Sequence, residues 1–259
     1  MPKSHRNIFV NSTLAFVSAF IITTIIHESG HYLASYLFGS QPKLYHNYVE
    51  TSETQTRVLA IIIIALAGPF ISFIQGVIAS GMVHFRQKNT QQDLLLLWLG
   101  LLGFVNFFGY LMLTPFSTVG DTGKVAELLQ IHYMLRFGIS LFGLAALLLI
   151  VMATGKEFAR FIPPVSELVE KRKHVNAVLL FPIIIGSIVN SILAFPVVAV
   201  LSVIYPATSP YVILSSYGKI LKGINSSSNE SFVYQKISAF LIGLVIVCVL
   251  INRILTQGF

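Results

Sequence analysis

The chain has 259 residues, of which 55% are hydrophobic and 10% charged, with a formal net charge of +7. Soluble domains carry about 25% charged residues, so the composition excludes a disordered chain and an ordinary cytosolic enzyme and predicts a polytopic membrane protein. The excess charge comes from 17 Lys+Arg against 10 Asp+Glu; with no clustered basic face interleaved with aromatics, it fits basic loops beside an anionic lipid bilayer, and no nucleic-acid partner is expected.

A helix needs about 20 apolar residues to cross the hydrocarbon core. Six runs qualify in chain order: residues 8–37, 58–84, 94–113, 133–153, 175–205 and 237–255. The predicted fold is therefore all-α, an integral membrane protein with about six transmembrane helices, expected in the cell membrane. The first run follows Lys3 and Arg6 but is too long for a signal-peptide core and is interrupted by His-Glu, so an uncleaved span is expected. The longest connection, residues 206–235, is rich in Ser and Asn and shows no core of its own, so no separate soluble domain is expected. Cys248, the single cysteine, lies in an apolar run and builds neither a disulfide framework nor a metal knuckle. The sequence fixes no oligomeric state.

With six spans, both termini fall on one side. That side carries Lys3, Arg6, Arg86, Lys88, Lys156, Arg160, Lys171, Arg172, Lys173 and Arg253. The other carries Lys43, Arg57, Lys124, Arg136, Lys219, Lys222 and Lys236. Ten against seven puts both termini in the cytoplasm.

The first span contains His27-Glu28-Ser29-Gly30-His31. A charged group at mid-membrane costs on the order of 2.5–3.5 kcal/mol on insertion scales, so an intramembrane Glu between two His is a functional-site candidate. At i and i+4 both imidazoles leave one helix face and can hold one zinc ion, with Glu28 placed as general base. Chance produces this pattern about 0.006 times in a chain of this composition. The competing reading is a polar helix face packed against other helices. A catalytic zinc takes three protein ligands. The chain has two Asp: Asp93, beside Gln91 and Gln92, reads as a boundary residue, and Asp121 follows the third span in an irregular Pro- and Gly-containing stretch, residues 114–124. Asp121 reads either as the third ligand or as a helix N-cap; Glu127 is a weaker alternative. The remaining histidines, His5, His46, His84, His132 and His174, lie at termini, span ends or loops and read as solvated or interfacial. Thr23, Thr24 and Ser35 line a polar cavity or pack helices. Pro182, Gly186, Asn190 and Pro196 mark the fifth run as one that can bend, as a gate would.

These residues resemble the site-2 protease family of intramembrane zinc metalloproteases. The His27–His31 motif in a span is similar to that family's zinc motif, and Gly68-Pro69 in the second span is similar to its Gly-Pro element. The stretch from Pro115 through Gly120-Asp121-Thr122-Gly123 is similar to its second zinc motif, an Asp-Gly pair following an Asn and a Pro. Here Thr122 separates Asp121 from Gly123, Asn106 lies farther upstream, and Phe70-Ile71-Ser72 stands where an Asn follows Gly-Pro. The resemblance spans residues 8–124. It implies that His27, His31 and Asp121 bind Zn2+, that Glu28 activates water, and that Gly68, Pro69, Asn106 and Pro115 shape the substrate site or the structure. It implies peptide-bond hydrolysis in or near transmembrane segments of membrane-protein substrates. Residues 1–132 would form the zinc-site three-helix core and residues 133–259 three further helices. It also implies a zinc site near the cytoplasmic face, whereas the charge count runs the first span outward with the His pair late in it. Two rival functions remain at this stage: a catalytically silent relative that binds a membrane partner, and an ion- or proton-relaying transporter, whose expected mark of repeated halves is not visible.

Overall fold

A computed structural model describes residues 3–51, 57–86, 88–118, 120–197, 200–224 and 232–259. The fold is all-α, with six helices among the described residues long and apolar enough to cross a membrane. Helix α1 (Lys3–Leu37) leads into a small antiparallel hairpin, β1 (Pro42–Leu44) and β2 (Val49–Thr51). Helices α2 (Val58–Arg86) and α3 (Gln91–Leu113) follow, then the short α4 (Asp121–Leu128) and α5 (Tyr133–Gly155). The fifth long helix is α6 (Leu168–Val175) joined to α7 (Phe181–Leu193) by a π turn. Three short pieces come next: α8 (Leu201–Thr208), a 3-10 segment (Ser209–Ser216) and α9 (Tyr217–Gly223). The chain closes with α10 (Phe232–Gln235) and α11 (Ala239–Ile254).

Helix α1 lies at the centre, packed against α2, α3, α7 and α11. The core is densest where Trp98 sits edge-on to Phe16 and against Phe158, with ring centroids 4.9 and 4.7 Å away. Asp93 is the boundary residue expected of it: it occupies the third position of α3, completes a capping box with Thr90 and pairs with Arg86 at 2.9 Å.

The π turn has a local cause. Pro182 has no N–H, which removes the helical donor for the Val178 carbonyl four residues earlier. The Ser12 hydroxyl donates to that carbonyl at 2.6 Å and accepts from Trp98 Nε1 at 3.0 Å. A backbone irregularity at membrane depth is thereby satisfied by α1 and α3.

The fifth span and the loop after it differ from the sequence reading. The span ends at Leu193 rather than at residue 205, and the stretch read as a loop carries the chain from one end of the bundle to the other. At its start, Val203 O accepts from Ser191 Oγ of α7 at 3.4 Å. At its finish, the Tyr217 hydroxyl donates to Asn176 Oδ1 at 2.8 Å, and Val233 O and Lys236 O accept from Asn11 Nδ2 at 2.7 and 2.8 Å. Helix α11 therefore runs parallel to α1. It ends beside the hairpin, where Phe259 exchanges backbone hydrogen bonds with Leu44. The two termini lie at opposite ends of the molecule, correcting the same-side expectation. The short helices escaped notice because each is only seven or eight residues long, below the length at which an apolar run reads as a span.

Candidate metal and catalytic site

His27 and His31 project from one face of α1, as i and i+4 require. The first turn of α4 brings Asp121 against them. Three ligand atoms converge: His27 Nε2 and His31 Nε2 are 3.1 Å apart, and Asp121 Oδ2 is 3.2 Å from the first and 3.3 Å from the second. A tetrahedral ion with bonds of about 2.0–2.1 Å to its ligands gives ligand–ligand edges of about 3.3–3.4 Å. The observed edges fit that size.

The outward-facing nitrogens say which atoms carry hydrogen. His31 Nδ1 donates to the Ile64 carbonyl at 2.7 Å. His27 Nδ1 lies 3.3 Å from Ser72 Oγ, whose own hydrogen goes to Gly68 O at 3.1 Å, so the imidazole donates and Ser72 accepts. Each neutral ring then presents a bare Nε2 to the centre, the arrangement that outer partners impose on metal-ligating histidines. Asp121 Oδ2 is buried without a hydrogen-bond partner. Three lone pairs thus meet at one point, an arrangement that a cation relieves.

Close backbone approach builds this geometry. A Cβ on Gly68 would overlap the His31 imidazole and lie 2.8 Å from His27 Nε2, so only glycine lets α2 pass beneath the two rings. A Cβ on Gly123 would overlap the Ser117 carbonyl, so glycine there lets the Ser117 backbone approach α4 this closely. The Thr122 hydroxyl hydrogen-bonds Tyr110 O at 2.5 Å and Thr114 Oγ1 at 2.9 Å, tying α4 to the end of α3. Thr122 between Asp121 and Gly123 is therefore a tether. Asp121 begins α4, while Gly120 holds the N-cap position with no side-chain cap, so the N-cap reading of Asp121 does not hold. Glu127 is exposed and takes no part in the cluster.

Glu28 is 8% exposed and lines the same cavity of about 1020 Å³ as the three ligands. The wall also includes Thr24, Ser35, Asn106 and Tyr110. Thr23 instead accepts from Gln75 Nε2 at 2.7 Å and serves packing. Asn106 Oδ1 is buried without a partner. Pro69 is buried inside α2 and Pro115 sits in the turn after α3; neither belongs to the cavity wall formed by the described residues. The second half of the chain contributes Asn190, Tyr205, Ser209 and Asn252 to the wall, so the cavity is not confined to the first three spans. Of the bending residues in the fifth run, Asn190 faces the cavity while donating to Gly186 O at 2.9 Å.

Three features escape a reading of the sequence. The Tyr110 ring stacks on His27 at 5.1 Å and 8°; it lies four residues after Asn106 and so shares its helix face, the one signal that points to it. Ser72 orients His27. The hairpin is the third: in its register Lys43 and Glu50 are a hydrogen-bonded pair, so the Val49 and Thr51 backbone groups face away from β1, and both residues line the cavity. Its turn is fixed by His46 Nε2 and Asn47 Nδ2, which donate to Ala194 O at 2.9 and 3.0 Å. Comparison of the chain with models of known families, with curated proteins and with solved structures finds no match.

Proposed function

We propose that the protein is an intramembrane zinc metalloendopeptidase, similar in its site to the site-2 proteases, that hydrolyses peptide bonds in or near transmembrane segments of membrane proteins. The observation that carries this reading is the convergence of His27, His31 and Asp121, with Nε2 and Oδ2 atoms 3.1–3.3 Å apart, in a cavity that also holds Glu28. Two imidazoles and a carboxylate are a donor set that zinc takes. When bound, zinc polarises a carbonyl and lowers the pKa of water toward about 7.

Glu28 takes a proton from the attacking water on its carboxylate and returns it to the leaving amide nitrogen. Ser72 and the Ile64 carbonyl keep the two imidazoles oriented while this happens. The cavity of about 1020 Å³ holds a short peptide segment together with water. A helical substrate protects its peptide groups with its own hydrogen bonds. The outward edge of β2 at Val49 and Thr51 offers replacement partners for a segment that has unwound, in the manner of strand addition.

The test is Glu28→Gln in protein reconstituted into lipid vesicles with single-span reporters carrying helix-breaking residues. Cleavage is expected to fall by about 10²–10⁴-fold with metal content unchanged. Equal turnover by the two proteins overturns the assignment.

A further inference from the structure

Apart from histidines, the described wall of the cavity carries three acidic or basic side chains: Glu28, Asp121 and Lys124. Glu28 and Asp121 belong to the candidate site, whereas Lys124 has no part in it. It is the one Lys or Arg among the described residues that lines the cavity. Lys124 lies in α4, three residues after Asp121, and its backbone N–H donates to Gly120 O at 2.8 Å. Its side chain is exposed and pairs with no carboxylate among the described residues. The acids of its own helix do not serve it: Asp121 Oδ2 turns to His27 and His31, and Glu127 is exposed and unpaired. Arg136 and Arg253, by contrast, are spent on main-chain carbonyls, and Lys43 stands opposite Glu50 in the hairpin.

An ammonium left unpaired on a wall that also holds two carboxylates is available to a charge that the substrate brings. A substrate carboxylate entering this cavity meets Glu28 and Asp121 as like charges, which disfavour it unless a cation stands near. Lys124 supplies that cation. Its reach sets the position. Cβ atoms three residues apart on a helix are about 5–6 Å from one another, and a flexible four-carbon stem carries the charge onward. An extended chain advances about 3.3 Å per residue, so a carboxylate two or three residues from a bond held at Asp121 meets the ammonium. Lysine acts as a point charge without the fixed fork of arginine. It therefore takes an Asp or Glu side chain or the free carboxyl end of a chain.

On the protease reading above, we propose that Lys124 is a specificity-determining residue that binds a carboxylate of the substrate two or three residues from the scissile bond. The test uses the full chain in lipid vesicles and single-span reporters carrying Asp, Asn or Lys at each position within four residues of the cleaved bond. At one position, two or three residues from that bond, the parent should cleave the Asp reporter with kcat/KM about 3–10-fold above the Asn reporter, the scale of one ion pair. The gain should lie in KM, as binding shared by ground and transition states does, and should shrink as salt rises. Lys124→Glu should reverse the order and favour the Lys reporter at the same position, and Lys124→Gln should remove the discrimination. Binding of the same reporters to Glu28→Gln protein, followed by fluorescence anisotropy, should show the same preference without turnover. Reporters that end at that position, with a free or an amidated carboxyl, separate the two sources: preference for internal Asp assigns the site to side chains, and preference confined to the free acid assigns it to chain ends. Equal handling of the Asp, Asn and Lys reporters by the parent, or an unchanged preference in both Lys124 variants, overturns the proposal and leaves the protease reading standing. Failure of the parent to cleave any reporter overturns the protease reading instead, and the anisotropy arm then decides the role of Lys124.

Discussion

At the scale of single residues, the candidate site is a problem in placing hydrogens. His27 and His31 each spend one nitrogen on a fixed acceptor, Ser72 Oγ and Ile64 O, and are left with a bare nitrogen facing the Asp121 carboxylate. Gly68 makes the arrangement possible by leaving space beneath both rings. Gly68→Ala inserts a methyl group where the imidazoles stand. Zinc affinity measured by competition with a chelating dye should fall by about 10–100-fold, the range seen when the support of a metal ligand is disturbed. Unchanged affinity would show that the rings are free to move aside and that the contact does not set their position.

At the scale of elements, α4 decides whether the site exists. It is an eight-residue helix, too short to be stable by itself, and holds its place through Thr122 on Tyr110 O, Arg136 Nη2 on Ala126 O at 3.0 Å and Arg136 Nε on Ile131 O at 2.7 Å. Gly123 lets the Ser117 backbone approach the helix that delivers Asp121. Gly123→Val forces these backbones apart. It should destabilise the protein by about 1–3 kcal/mol, as overpacking does, and should lower the zinc bound at the His27–Asp121 cluster while α1 keeps its two His. Thermal unfolding and metal analysis of the same preparation check both effects; a variant with full stability and full metal would disprove this account of the contact.

At the scale of the whole molecule, the return of residues 201–224 through the bundle rearranges the charges. Lys219, Lys222 and Lys236 move to the end that holds Lys3 and Arg6, and Arg253, bonded to the Phe195 carbonyl at 2.7 Å, moves to the opposite end. The seventeen basic residues then divide twelve to five rather than ten to seven. The positive-inside rule places the end of His5 in the cytoplasm and the end that carries the hairpin, α4 and Phe259 outside. On that rule the His27–Asp121 site is expected nearer the outer end of the bundle, opposite to what the family resemblance implies. A phosphatase joined after Phe259 should be active and a fluorescent protein joined there dark, in a host where each works on only one side of the membrane. The reverse pattern would show that the positive-inside rule does not set the topology of this chain.

The parts of the protein legible in sequence are those governed by local periodicity and by the scarcity of charge. Long apolar runs announce the six long helices because the bilayer demands length. A His-Glu-x-x-His spacing announces a ligand pair because the helix repeat carries i and i+4 to one face. With two Asp in the chain, candidates for a third ligand are few, Asp121 first and Glu127 behind it; the structure brings Asp121 to the pair and leaves Glu127 exposed. Other features depend on contacts between residues far apart in the chain, which no periodic pattern encodes. Ser72 behind His27, Val178 O capped by Ser12, the hairpin edge at Val49 and Thr51, and the burial of His5 against His174 are all of this kind. The sequence by itself determined a membrane-spanning helical protein with a polar His-Glu-His face in its first span. Only the tertiary structure decided that the termini lie at opposite ends and that His5 and His174, read from sequence as solvated, are buried against each other. Short broken helices carry too little apolar length to be recognised alone, and a buried histidine is recognised only by what packs around it.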